Sequence, residues 1–533
     1  KFPNVGPDSV KVKSGDYIEW LYTTNLGKDI GNIYEELDND IIDNALALLD
    51  NKAAREKEIL EMVKDITDYI VDAVDSVKSK GDLKTLLKDF KDVNNIFFIV
   101  LKRLETEDGF DNAAANSLKI GEMAAKLLNY TDEEALTNEI CSTAKESTGI
   151  TLAFINKMSN ESRIGKIIED MLDASIGLNK KLLEKQPNNM KPEQSFLVIV
   201  SQEDENSVEI NLPAILLRRA SEKGITKLDL SSEILTAALP IDALNEIQKK
   251  QGLKITAKRV DKPVLPNTAQ DKISNGSLIE ITEASKQKFD KPIEVGIPFA
   301  GTYNDEVAVT VFSLNSNGNI QPVGGIYDPT VKKARFFTAH FGTYFAKESI
   351  ADFTDIKDHW AKKEIGVLAG KGIIRGKGEK KFQPDSNITR AEFVALMTRA
   401  LGYDENHQYT IPFTDVTEND WYYNPIAIAY NNGLVNGKST KEFDPNGNIT
   451  RQEMTKIISN ILENKFQPQE NLEDLKGFRD FEEIAPWARE SAALCLREKV
   501  IGGVSEGVFA PLENATRAQA AVILYRIYSL IIS

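Results

Sequence analysis

Apolar residues along this chain recur with two different spacings, and the change falls near residue 195. From about residue 37 to 190 the period is helical. The stretch "REKEILEMVKDITDYIVDAV" sets Ile59, Met62, Val63, Ile66 and Ile70 on one stripe. Proline is almost absent there, so residues 37–190 predict a helical bundle, acting as a spacer or an assembly surface. From Ser195 the period becomes two. "FLVIV", "SVEINLP", "LKITAKRV", "SLIEITEA", "IEVGIPF" and "VAVTVFSL" read as strands, with turns such as "NSNGN" between them. Two helical stretches, "PAILLRRASEKG" and "IDALNEIQKKQG", interrupt them. Residues 191–350 are therefore expected to form a mainly β, sandwich-like module. Residues 1–36 hold strand-like runs ("SVKVKSGDYIEWLYTT") that open in mid-pattern. They read as the C-terminal part of a truncated or processed β domain.

The rest of the chain repeats itself. Trp360, Trp421 and Trp487 are each followed at +16 by Gly376, Gly437 and Gly503, and at +22 by Phe382, Phe443 and Phe509. Prolines follow at +24, and Arg390, Arg451 and Arg517 at +30. Asp355, Asp415 and Asp480 stand shortly before each tryptophan. This register defines three units, 351–410, 411–470 and 471–533. Each reads as helix, loop, helix. Gly372 and Gly433 suit the end of the first helix, where the third unit has Lys499. The second helix opens with a capping box, Thr389-x-x-Glu392, Thr450-x-x-Glu453 or Thr516-x-x-Gln519.

The capping boxes explain Thr and Glu or Gln, but not the arginine. A cation in the first turn opposes the helix dipole at a cost of roughly 0.3–1 kcal/mol. Two partners could compensate: the aspartate upstream of each tryptophan, or an anion from outside that uses the helix-start N–H groups as well. The tryptophans likewise suit either a core between helices or a platform for a ligand. Gly376, Gly437 and Gly503 are expected to be turn residues with positive φ.

These residues bear a family resemblance. "FTDIKDHWAKKEIGVLAGKGIIRGKGEKKFQPDSNITRAE" and its two sister stretches resemble surface-layer homology (SLH) domains, three in tandem. The resemblance implies a pseudo-threefold all-α trimer whose grooves bind secondary cell-wall polysaccharide bearing an anionic ketal-pyruvate sugar. By that likeness Arg390, Arg451 and Arg517 meet the carboxylate, and Trp360, Trp421 and Trp487 support the sugar or the groove wall. In that reading Asp355, Asp415 and Asp480 orient the groove or take sugar hydroxyls, and Gly376, Gly437 and Gly503 let a sugar approach the backbone. The opening "GDYIEWLYTTNLGKDIGN" resembles the tail of a transcobalamin-C-terminal-like domain. The whole is then a multidomain α+β surface protein, secreted and held at the cell wall, with outer domains for lattice assembly or display. A wall-anchored ligand-binding protein, or an anchored enzyme with its catalytic domain outside this chain, remain the alternatives.

Composition narrows this picture. The net charge of −16 argues against nucleic acid as a partner. No run of 18 apolar residues exists to span a bilayer. Cys141 and Cys495 lie in helical patterns far apart, and Cys495 is expected to be a small core residue. His340, His359 and His407 show no metal spacing, and neither G-x-S-x-G nor H-E-x-x-H occurs. No catalytic set and no cofactor are expected.

Overall fold

The computed structural model describes residues 34–77, 79–183, 195–199, 206–260, 278–404, 409–463, 466 and 472–532. The β-domain reading of the first segment, its transcobalamin-like likeness and His407 lie outside them.

Among the described residues six helices form the first part: α1 (Tyr34–Asp50), α2 (Glu56–Asp75), α3 (Lys80–Leu101), α4 (Glu107–Lys126), α5 (Glu134–Ile155) and α6 (Glu161–Leu183). The stripe on α2 is buried at Ile59, Val63, Ile66 and Ile70, with Met62 at its margin. Helix α5 is apolar or small on most sides and runs through the middle of the bundle. Its buried hydroxyls find partners: Thr151 Oγ1 lies 2.6 Å from Ser117 Oγ, and Ser147 Oγ donates to Asn94 Oδ1 at 2.9 Å. Gly121 lets α4 approach α5, since a Cβ there would sit 3.1 Å from the Ala144 carbonyl.

Among the described residues twelve strands follow: β1 (Ser195–Ile199), β2 (Ser207–Leu212), β3 (Lys227–Ser231), β4 (Thr236–Pro240), β5 (Leu253–Val260), β6 (Leu278–Glu283), β7 (Ile293–Pro298), β8 (Val309–Leu314), β9 (Ile320–Gly324), β10 (Ile326–Asp328), β11 (Lys333–Thr338) and β12 (Thr343–Glu348). They make two six-stranded sheets, ordered β1-β3-β4-β7-β11-β10 and β2-β5-β6-β12-β8-β9. Every pairing is antiparallel except β1 with β3. Strands β3 and β4 bury alternate residues, as their period of two requires. The sheets face each other across Phe336 and Tyr344, whose rings lie 4.8 Å apart. Helices α7 (Ala214–Glu222) and α8 (Glu246–Gln251) are the two helical interruptions. Because α5 and α6 pack on β1, one apolar core runs from the bundle into both sheets.

The repeats hold α9 (Lys362–Gly370), α10 (Arg390–Ala400), α11 (Tyr423–Asn431), α12 (Arg451–Leu462), α13 (Glu473–Lys476), α14 (Pro486–Arg497) and α15 (Arg517–Ile532). They build a second core, which Ile326 of β10 joins. Isolated β-bridges add to the helices: Asn387 to Thr516, Thr389 to Asn448, and Thr450 to Asn514. Each bridge links one repeat to another, so the contacts run from the first to the second, the second to the third, and the third back to the first. Gly372 (φ 73°) and Gly433 (φ 71°) end their helices in the left-handed region, and Lys499 does the same at φ 55°. The third repeat thus keeps the cap without the glycine. Among the described residues no helix is long and apolar enough to cross a membrane.

Candidate functional site

Helices α10, α12 and α15 begin alike because their first turns are satisfied alike. Thr389 Oγ1 accepts from Glu392 N at 3.2 Å, while Thr389 N donates to Glu392 Oε2 at 3.1 Å. Thr450 with Glu453 and Thr516 with Gln519 repeat this reciprocal cap. The next two amides are also engaged. Arg390 N donates to Gly447 O (2.9 Å), Arg451 N to Glu513 O (3.0 Å) and Arg517 N to Ser386 O (2.9 Å). Ala391, Gln452 and Ala518 donate to Pro445, Pro511 and Pro384, the prolines of the same loops. The helix starts are therefore not open N–H nests for an anion, contrary to the expectation. Carbonyls of the adjoining repeat already fill them.

The same carbonyl-rich loops explain a cation at the first helical position. Arg451 donates from Nε to Phe509 O (2.9 Å) and from Nη2 to Gly502 O (2.7 Å). Arg517 donates from Nε to Phe382 O (3.0 Å) and from Nη2 to Arg375 O (2.9 Å). Arg390 donates from Nη2 to Asn436 O (2.7 Å), but its Nε is buried without a partner. Each guanidinium also lies over the +22 phenylalanine of the adjoining repeat: Arg390 over Phe443 at 4.7 Å, Arg451 over Phe509 at 5.4 Å, and Arg517 over Phe382 at 4.5 Å. Only 7%, 3% and 6% of these arginines is exposed. Burial lowers the pKa of all three, opposed by nearby acids such as Glu453, Glu513 and Glu392.

Asp355, Asp415 and Asp480 do not pair with the arginines. Each carboxylate accepts two backbone amides of its own repeat: Phe382 and Gln383 (2.9 and 2.7 Å), Phe443 and Asp444 (2.9 and 2.7 Å), Phe509 and Ala510 (2.9 and 2.6 Å). Gln383, Asp444 and Ala510 sit at φ 59°, 60° and 58°, a region that side chains disfavour. The aspartate thus fixes a strained corner behind the phenylalanine shelf. Burial pulls the carboxyls of Asp355 and Asp480 upward, but these amides hold them below the usual range.

Gly376, Gly437 and Gly503 are absent from the positive-φ positions, which corrects the turn expectation. They are glycines because the chain folds tightly over them. A Cβ would lie 2.7 Å from Lys381 O, 2.4 Å from Ser439 O and 2.7 Å from Val508 O, with a phenylalanine ring also pressed against each.

The tryptophans are not core residues. Trp360, Trp421 and Trp487 are 65%, 59% and 53% exposed. Trp487 stands on a groove of about 390 Å³ with Arg390, Asn436, Lys438, Glu453 and Lys456. Arginine, loop and tryptophan here come from the first, second and third repeats, so this groove needs all three. Lys438 Nζ reaches Asp444 at 3.0 Å and Glu453 at 3.3 Å. Burial raises the Glu453 carboxyl, yet Thr450, Lys438 and Arg390 together hold it below its ordinary range. A larger crevice of about 510 Å³ lies between the β module and the first repeats, near Lys286, Lys288, Phe289 and Tyr403. It contains none of the repeated arginines or tryptophans.

Lys438, Lys456 and the phenylalanine shelf were missed as site residues. The signal was present at +17, where Lys377 and Lys438 recur and the third repeat has Val504. Cys495 is a buried core residue beneath Thr455 O, and Cys141 is buried in the bundle.

Comparison with known proteins identifies the repeats. The S-layer homology domain model matches residues 352–394, 412–455 and 477–521. An amylopullulanase of Thermoanaerobacterium thermosulfurigenes is 33% identical over 333 residues, covering 62% of this chain and 17% of that protein. Exoglucanase XynX of Acetivibrio thermocellus is 39% identical over 179 residues, covering 34% and 16%. A surface-layer 125 kDa protein of Lysinibacillus sphaericus is 34% identical over 152 residues, covering 28% and 12%. The chain spans a fifth or less of the length of each. The 333-residue match is longer than everything from residue 352 onward, so that likeness extends into the β module. With its repeats closed on one another through the arginine loops, this chain carries three S-layer homology domains at its C-terminal end and is a secreted protein of the cell surface and wall.

Proposed function

We propose that the chain anchors a surface-layer-type protein, without a covalent bond, to an anionic and pyruvylated secondary cell-wall polysaccharide. The three repeats act as one pseudo-threefold unit, and the bundle and β module project outward for assembly with further copies or for display. The observation that carries this reading is the groove at Arg390. There a nearly buried guanidinium shares one groove with Lys438, Lys456 and the exposed Trp487. Three cationic side chains line this groove against one carboxylate, Glu453, and that balance favours an anionic guest. A carboxylate on a sugar fits this chemistry, with the indole as a face for the ring.

In this reading the groove residues divide their work. Arg390 supplies the charged donor, Lys438 and Lys456 raise the local potential, and Trp487 bounds the sugar. Asp415 and Gly437 shape the loop, as Asp355 with Gly376 and Asp480 with Gly503 do in the other two repeats. Arg451, Arg517, Trp360 and Trp421 hold the corresponding places there.

A second reading keeps the anchor and adds catalysis from elsewhere. Two of the relatives above are named as glycan-degrading enzymes, and the chain matches only a small part of each. This chain would then be the wall-binding end of an enzyme.

The test is co-sedimentation of the full chain with purified walls, before and after removal of their anionic polysaccharide. Retention on intact walls and loss from stripped walls is expected. Equal retention on both would refute polysaccharide anchoring.

A further inference from the structure

The ring of repeats has two kinds of junction. The chain itself connects the first repeat to the second and the second to the third. The third meets the first only through space, at a seam made by Arg517 on Phe382 O and Arg375 O, Arg517 N on Ser386 O, and Ile388 N on Ala515 O at 3.0 Å. Helices α9 and α15 pack along it.

We propose that the β module is a clasp that holds this seam shut. Two places on the module each receive one group from the first repeat and one from the third. At the first, the Gly325 carbonyl accepts from Lys371 Nζ while the Gly325 amide donates to Tyr528 Oη. Lys371 also donates to Val309 O at 2.7 Å, and its Nζ lies 5.5 Å from the centre of the Tyr528 ring. Both side chains are fully enclosed. Gly324 and Gly325 allow this approach, at φ 87° and 110°, and a Cβ on Gly324 would collide with the Tyr528 hydroxyl. At the second, Asp305 accepts from Lys363 Nζ at 2.8 Å and from Tyr525 Oη at 3.4 Å.

Lys363 and Lys371 belong to the first repeat, and Tyr525 and Tyr528 to α15 of the third. No residue of the second repeat takes part at either place. The polar links therefore join the two repeats that the chain leaves apart, and a module before the ring governs whether its last junction stays closed. The likeness to the amylopullulanase, which extends beyond the repeats into this module, suits a pair that works as one unit.

Hydrogen exchange of the full chain tests the clasp, using Asp305→Ala and separately Tyr528→Phe. The seam amides are Ile388, Arg517 and Ala518. Those of Arg390 and Ala391 report the first junction, and those of Arg451 and Gln452 the second. Either variant should speed exchange at the seam by about tenfold and leave the other two junctions within about twofold of the parent. Equal acceleration at all three junctions, or none at any, would overturn the proposal. Tyr528→Phe removes one hydroxyl and little volume, so it stays informative if Asp305→Ala folds poorly.

Discussion

Arg390 and Arg451 occupy the same place in successive repeats, and the structure uses them differently. Arg451 spends Nε and Nη2 on two carbonyls of the third repeat. Arg390 spends only Nη2 on the second and leaves Nε buried and unpaired. Their surroundings diverge too. Lys438 stands at +17 in the loop that meets Arg390, and Val504 at +17 in the loop that meets Arg451. One short sequence word thus serves cohesion in both seats, with one guanidinium hydrogen bond fewer where the loop carries Lys438.

The largest effect should separate these roles. Arg451→Ala strips two carbonyls of buried donors and should lower the unfolding free energy by about 2–4 kcal/mol. Arg390→Ala should cost less than half as much, because one donor was unpaired from the start. Urea midpoints of the two variants check this order. For the same reason, replacing both arginines together would not leave the fold untouched, as a purely ligand-facing role would allow.

An effect of comparable size is one of pH at the joint between module and repeats. Burial pushes Lys371 down to about 7 from 10.5, with Asp305 opposing. A base with a lowered folded pKa binds fewer protons in the folded state than in the unfolded state between those two values. Stability should therefore rise with pH from about 7 to 10.5, by about 1.4 kcal/mol per unit from this group. It gains nothing further above that window or below it. Lys371→Met should reduce the rise, read from unfolding midpoints across the window, and leave the smaller part above about pH 8 that comes from Lys333, which burial pushes down to about 8. A variant whose rise equals the parent's would assign it to other groups.

Smaller effects concern the groove. Trp487→Ala should leave stability within about 0.5 kcal/mol, since the indole is largely exposed. It should weaken wall retention about five- to tenfold, the weight of one aromatic contact of roughly 1 kcal/mol. Val504→Lys gives the third repeat the +17 lysine that it lacks. It should raise retention by no more than about twofold, because the charge is exposed and screened.

Much of this was legible in the sequence because it depends on local spacing. The α2 stripe, the period-two strands and the three capping boxes follow from periodicity and short-range hydrogen bonding. Gly372 and Gly433 were legible as helix ends, and Lys499 took the same conformation because the packed loop imposes it. The partners of the arginines were not legible. They are backbone carbonyls of another repeat, and a carbonyl leaves no mark in residue identity. The same holds for Asp355, Asp415 and Asp480, whose acceptors serve backbone amides rather than the nearest cation. Gly376, Gly437 and Gly503 were read as turn residues, whereas contact with a distant carbonyl and a phenylalanine ring makes a side chain impossible there.

The most direct test of the Arg390 groove follows the guanidinium signal of Arg390 in arginine-labelled protein as a pyruvylated wall saccharide is added. The account predicts a clear shift of this signal, smaller changes at Arg451 and Arg517, and no response to the same saccharide with its pyruvate removed. An unmoved Arg390 signal at saturating saccharide, or an equal shift at all three arginines, would contradict it.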